Sequence, residues 1–152
     1  MKLLDNLYAY LWPGLTYEDM ARYGNNCNTY VIASAFPNQE GKTHVVIDPG
    51  HIVNDIGVPC LERLGQEMLR DGLKAEEVGL VINTHSHRDH SEASRAFQEQ
   101  NNALVALGEL EAQYYENTGR SRHQARGGIH VPDLRPDIKL KEGNWKLEGL
   151  TL

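Results

Sequence analysis

The sequence predicts an α+β domain built on a mixed β-sheet with helices on one face. Three observations carry that expectation. Short β-forming runs fill the first third of the chain, strand and helix periods alternate from residue 61 onward, and a histidine-rich turn sits where a buried run gives way to a helix. Strands followed by strand–helix alternation is the pattern of a sheet covered on one side by helices.

Residues 7–12 are apolar and aromatic and stop at Pro13-Gly14, a turn signal. Residues 29–36, TYVIASAF, are rich in β-formers and end at Pro37-Asn38. A third strand over residues 44–47 closes on Asp48-Pro49-Gly50, where proline and glycine block continuation. The period then changes. Leu61, Leu64, Met68 and Leu69 mark one face of a helix, and Gly72 stops it. Residues 78–82 are apolar except for Gly79 and read as a strand covered on both sides. Residues 91–100 read as a helix with Ala93 and Phe97 inward, 103–107 as another buried strand, and 109–117 as a helix. Residues 119–137 read as a loop, and 138–140 and 145–147 as a hairpin around Lys141-Glu142-Gly143-Asn144.

The 152 residues suit one domain, read as 1–152, and 40% hydrophobic with 24% charged residues is a globular balance. A net charge of −6 is the wrong sign for gripping a phosphate backbone, which excludes a nucleic-acid partner. Cys27 and Cys60 are too few for a disulfide framework. Asp5 interrupts the N-terminus before a signal peptide's apolar region could form, and no stretch approaches the roughly 18 apolar residues of a membrane span. The expectation is a cytoplasmic protein with no membrane partner.

Four ligand-type side chains, His85, His87, Asp89 and His90, fall within six residues of Thr84-His85-Ser86-His87-Arg88-Asp89-His90. An isolated histidine is usually a surface residue, but three with an aspartate at this spacing, directly after a buried strand, form a metal motif. In an extended His-x-His both imidazoles project to the same side and can reach one ion. Asp89 and His90 lie past the turn and can address a second. Two divalent ions about 3.5–4 Å apart could share a hydroxide and polarise the bond it attacks. A nitrogen-rich set suits Zn, with Fe or Mn also compatible. Arg88, between ligands, is expected to turn away into a salt bridge.

This motif resembles the metallo-β-lactamase superfamily, which includes glyoxalase II, lactonases, ribonuclease Z and the β-lactamases. The flanking segments match in order: Asn26-Cys27-Asn28-Thr29-Tyr30-Val31-Ile32 looks like the family's early core strand, and Val45-Val46-Ile47-Asp48-Pro49-Gly50 like its Asp-x-Gly strand end. The resemblance implies that His85 and His87 bind a first metal and Asp89 and His90 a second, with Asp89 also orienting the nucleophilic water and taking its proton. Asp48, by residue chemistry, either caps a turn or orients a ligand histidine, and the family order favours the latter. The implied architecture is half of an αββα sandwich. The family's later Gly-His-Ser/Thr-x-Gly turn, bridging Asp and last His do not occur in this sequence. A missing C-terminal half or a homo-oligomer is then expected to complete the site.

The implied function is hydrolysis of a small ester, thioester, lactone or amide by a metal-bound hydroxide. The alternatives are an iron-dependent persulfide dioxygenase, or a non-catalytic metal-binding half-domain. The acidic charge disfavours ribonuclease action, and the absence of an export signal gives no support to a β-lactam substrate. His123 and His130 read as loop residues with a pocket-lining role as the alternative. His51 reads as solvated, with the site mouth as its alternative, and His44 as structural. Tyr114 and Tyr115 read as helix residues packed on the sheet, or as lining for the pocket of a small-molecule substrate.

Overall fold

The computed structural model describes residues 1–14, 16–35, 41–124, 133–143, 146–147 and 150–151, with 123–124, 146–147 and 150–151 in backbone alone. Strands β1 (Leu7–Tyr10), β2 (Thr29–Ile32), β3 (His44–Ile47), β4 (Val78–Asn83), β5 (Leu104–Gly108) and β6 (Ile138–Leu140) form one six-stranded sheet in sequence order. β1, β2 and β3 pair antiparallel, while β3 to β6 run parallel. The sheet is therefore mixed, as expected.

Strand alternation divides the side chains between two faces. Val31, Ala33, Val46, Val81, Val105 and Leu107 enter one core with residues of helices α2 (Cys60–Arg70), α4 (Ser94–Asn101) and α5 (Glu109–Tyr114). The opposite face gathers Val45, Leu80 and Ala106 with Ile32, Ile47, Ile82, Ile138 and Leu140. No described helix residue joins that second cluster, and its isoleucines remain only partly buried. Helices on one face is the observed arrangement.

Several boundaries differ from expectation. β1 stops at Tyr10 because the Trp12 N–H turns to Asn28 Oδ1 at 2.8 Å. β2 ends at Ile32 because the chain bends at Ser34, whose φ is 50°. In α2, Leu64 and Met68 are buried, but Leu69 is 64% exposed instead of inward. The helix ends at Asp71 and Gly72, whose φ of 78° only glycine adopts readily.

The helix expected over 91–100 is two pieces, α3 (Arg88–Ser91) and α4. The Ala93 N–H bonds to Gly50 O at 2.9 Å, and the Ser94 hydroxyl donates to Asn83 Oδ1 at 2.8 Å, so these residues are tied to the ends of β3 and β4. Helix α1 (Tyr17–Tyr23) was not anticipated. Thr16 caps it, with Oγ1 accepting from the Asp19 N–H, but it buries no residue and so carries no apolar stripe.

Two further expectations are corrected. The segment read as loop from residue 119 begins as a π-turn (Tyr115–Gly119) continuing into α6 (Arg120–Gln124). Among the described residues, 138–140 and 146–147 do not pair as the hairpin expected around 141–144. β6 is instead seated beside β5 by Asp137, whose N–H bonds to Val105 O and whose Oδ2 accepts from Val105 N, both at 2.8 Å. β7 (Lys146–Leu147) pairs with β8 (Leu150–Thr151). Among the described residues no helix is long and apolar enough to cross a membrane.

Candidate metal centre

The site forms where β3 and β4 end side by side. β3 delivers Asp48, held at a φ of 51°, and β4 delivers Thr84 and the loop into α3. The Asp48 carbonyl is pinned from below by the Thr29 hydroxyl at 2.7 Å and the Cys27 thiol at 3.2 Å. Gly50 makes the next turn with a φ of 83°, and a Cβ there would lie 2.5 Å from Asn26 Oδ1. That oxygen accepts the His51 N–H at 2.7 Å. Glycine is therefore required by close approach as well as by conformation.

The carboxylate of Asp48 then organises the histidines. Oδ1 accepts from Thr84 N at 2.8 Å, Oδ2 accepts from Thr84 Oγ1 at 2.7 Å, and His90 Nδ1 lies 3.0 Å from Oδ2. Burial pushes this carboxyl up, but the hydrogen bonds from His90 and Thr84 outweigh it and hold it below its ordinary range. His90 is raised in turn, first by its bond to Asp48, against the opposing effect of burial. Because the Thr84 hydroxyl donates to Asp48, it accepts from His85 Nδ1 at 3.0 Å. Both imidazoles thus carry their proton on Nδ1 and present Nε2 as a lone pair. Burial, followed by the neighbouring His90 and His87, lowers His85 and favours that neutral form.

Local backbone geometry explains which side chains face the site. Along the extended run and into the first residue of α3, Ser86 and Arg88 are buried while His85 and His87 alternate outward. Glu111 of α5 fixes this run by accepting from both Ser86 N and Ser86 Oγ, at 2.8 and 2.7 Å. The ring of His85 lies 4.6 Å from that of His87 and 4.1 Å from that of His90. Asp89 Oδ2 is 3.9 Å from His90 Nε2. Among the described residues, no three His, Cys, Asp or Glu side chains converge as a ready metal cage. The donor chemistry nonetheless fits a divalent ion: imidazole nitrogens with their other nitrogen engaged, and an adjacent carboxylate.

Arg88 turns away from the site, as expected. Its guanidinium meets Glu92 Oε2 at 3.0 and 3.2 Å and Asp55 Oδ1 at 3.2 Å. His51 is not solvated: it is 1% exposed, and its Nδ1 is 2.7 Å from Glu92 Oε2. It does line a cavity shared with His87 and Asp89, so the site-mouth alternative describes its position. Tyr114 lines the same cavity, whereas Tyr115 is buried and its hydroxyl donates to Asp133 Oδ1 at 3.1 Å. His44 is buried beside Glu77, a structural position. His123 is described in backbone alone and His130 lies outside the described residues. Thr84, Glu92 and Glu111 are the contributors that sequence reasoning missed. Thr84 lay in plain view before the motif, but nothing local marks either glutamate.

The family model of the metallo-beta-lactamase superfamily matches residues 22–151. A probable metallo-hydrolase of Methanocaldococcus jannaschii is 30% identical over 130 residues, covering 86% of this chain and 56% of that protein. The crystal structure of BJP-1, a subclass B3 metallo-beta-lactamase of Bradyrhizobium japonicum, superposes with a TM-score of 0.59 at 19% identity over 79% of this chain and 41% of that one. GOB-18 from Elizabethkingia meningoseptica gives 0.60 at 18% identity, with the same coverage. At that identity the structural likeness speaks for the fold alone. The chain spans about half the length of the curated relative it matches.

Proposed function

The chain belongs to the metallo-beta-lactamase superfamily, and on that footing we propose that it is a hydrolase whose divalent metals are held by His85, His87, Asp89 and His90. His85 and His87 bind the first ion, Asp89 and His90 the second, and zinc is the metal this donor set suits best, ahead of iron or manganese. Divalent metals held there would supply Lewis acidity, making a water acidic enough to attack at neutral pH and polarising the scissile carbonyl. The chain's own residues do the rest. Asp48 and Thr84 fix the Nδ1 protons of His90 and His85, so that Nε2 is the donor atom in each. Asp89 orients the attacking water and takes its proton. The substrate class is a small ester, thioester, lactone or amide.

The observation that carries this reading is the Asp48 carboxylate, which binds Thr84 and His90 together. A buried acid held charged to orient an imidazole is the arrangement metal-ligating histidines use. The decisive experiment is elemental analysis of the purified 152-residue chain after gentle desalting, paired with intact mass and oligomeric state. Close to two metal ions per chain supports the assignment. A chain that retains no metal and cleaves no ester contradicts it.

A second reading is a half-domain whose site is completed from beyond these residues. It is favoured by the apolar sheet face that carries no helix among the described residues, and by the coverage of only 56% of the curated relative. A further C-terminal half or a second copy of the chain would supply the missing ligands. The oligomeric-state measurement separates the two sources.

A further inference from the structure

Beside the candidate metal residues lies a cavity of about 200 Å³, walled by His87 and Asp89 on one side and by Tyr114, Gly119 and Arg122 on the other. The second wall comes from α5, the π-turn and α6, and three features fix its position. Glu111 ties α5 to Ser86, between the two candidate ligands His85 and His87. Gly119 sits so close to the His loop that an added Cβ would be 3.1 Å from Tyr115 and 3.6 Å from Ser86 Oγ. Asp133 accepts from both the Tyr115 hydroxyl and Arg120 Nε, at 3.1 and 2.9 Å. The π-turn inserts an extra residue into the helix, a distortion that recurs at functional sites.

The cations around this cavity are not equivalent. Arg88 is committed to Glu92 and Asp55, and Arg120 to Asp133. Arg122 is exposed and makes no ion pair among the described residues. Its Nη1 donates to the Tyr114 hydroxyl at 3.1 Å, which holds the guanidinium at the rim. In a chain of net charge −6, an arginine held at the mouth of a site with no ion-pair partner among the described residues is placed for an anion from outside. His51, held by Glu92 through Nδ1, is buried in the same wall.

We propose that Arg122, supported by Tyr114, binds a carboxylate of the substrate, so that the hydrolysed compound is an ester, thioester, lactone or amide of an anionic acid. The inference rests on the hydrolase reading and narrows its substrate class. A monoanion fits better than a phosphate dianion, because Asp55 and Asp89 stand in the same wall and the single Arg122 guanidinium would be the cation set against them.

The test uses the full chain stripped of metal, so that binding is read without hydrolysis. Monomethyl succinate and its uncharged counterpart dimethyl succinate are titrated while the Arg122 Nε–H signal and the amide of Asn25, which also lines the cavity, are followed by NMR. The monoester is expected to shift both signals saturably and the diester to leave them in place. Arg122→Gln should weaken the monoester about fivefold, the scale of one exposed charge pair. An equal response to the diester, or an Arg122→Gln chain that binds the monoester unchanged, overturns the proposal. So does inorganic phosphate competing as well as the monoester. Metal content measured on reloaded samples of both chains reads the hydrolase assignment separately. A chain that binds the monoester through Arg122 but holds no metal refutes the hydrolase reading and leaves the anion site standing.

Discussion

Asp48 and His90 are joined through Oδ2 and Nδ1 at 3.0 Å across 42 positions of sequence. The same carboxylate carries both polar groups of Thr84, so one buried side chain sets the registry of the β3 and β4 ends. In Asp48→Asn the amide nitrogen cannot accept from either the Thr84 hydroxyl or the His90 Nδ1–H. Metal affinity should fall by about 10–100-fold, measured by competition with a coloured chelator. Stability should fall by roughly 1–3 kcal/mol in urea unfolding. Wild-type metal affinity in this variant would remove Asp48 from its orienting role.

Glu111 performs a similar task one layer out. Both of its bonds to Ser86 hold the peptide between His85 and His87. Burial pushes this carboxyl up, but the Ser86 hydrogen bonds outweigh it and keep it below its ordinary range. Glu111→Ala should cost about 1–3 kcal/mol in denaturant unfolding, the scale of a lost hydrogen bond to a charged group. It should also loosen the His85–His87 loop, seen as faster amide exchange at Ser86. Unaltered exchange there would show that the loop holds its shape without the clamp.

Glu92 contributes to the acid limb of stability alongside Asp48 and Glu111. Burial raises its pKa, yet His51 and Arg88 together outweigh burial and bring it below the ordinary 4.5. A carboxylate depressed in the folded state contributes stability above its unfolded pKa and loses it as pH falls through the folded one. Stability should therefore decline as pH drops below about 4.5, and Glu92→Gln should flatten that limb. At neutral pH the same variant should lose about 1–3 kcal/mol, because buried Arg88 keeps only the half-exposed Asp55 as a charged partner. Urea midpoints measured from neutral to acid pH read both effects, and parallel acid limbs in the two chains would rule Glu92 out.

Legibility in the sequence follows from range. Residues 78–82 and 103–107 could be read because both are nearly continuous apolar runs, but cover on both sides is not what the fold shows: among the described residues helices lie on one face, Ile82 is only partly buried and Leu104 is exposed. The candidate metal motif stands out in the sequence because its four side chains are packed into six positions. The Asp48 role emerged only through the order of segments, since its partners are 36 and 42 positions away. Glu111 reaches Ser86 over 25 positions and Glu92 meets His51 over 41, and no local pattern announces either contact. α1 was illegible for the opposite reason: with no buried residue it has no periodicity to detect. Residues 138–140 were recognised as a strand but given the wrong partner, because Asp137 seats them on β5 through contacts that turn chemistry does not encode.

Both cysteines should be inert in the folded chain. Burial pushes the Cys27 thiol up to about 12 and the Cys60 thiol up to about 11. Cys27 donates to Asp48 O and Cys60 to Val58 O, so neither presents a thiolate to solvent. At about pH 8 only a thiolate attacks an aromatic disulfide reagent and releases its coloured aromatic thiolate. No colour should develop in buffer within minutes, and both thiols should react at once in concentrated guanidinium. Rapid reaction of one thiol in buffer would mean that the β3 end opens on that timescale.

His87 separates metal binding from folding more cleanly than any other position in the motif. It is exposed, stands at the N-terminal end of α3, and its ring contacts only that of His85 among the described ring pairs. His87→Ala should therefore change unfolding free energy by no more than about 0.5 kcal/mol, as surface substitutions do. Metal content should nonetheless drop by most of one ion per chain, because the remaining imidazole of the His-x-His pair cannot hold the first ion alone. Elemental analysis beside a urea curve reads the two quantities on one sample. A fully folded His87→Ala chain with unchanged metal content would place the first ion elsewhere, and the ligand assignment of His85 would fall with it.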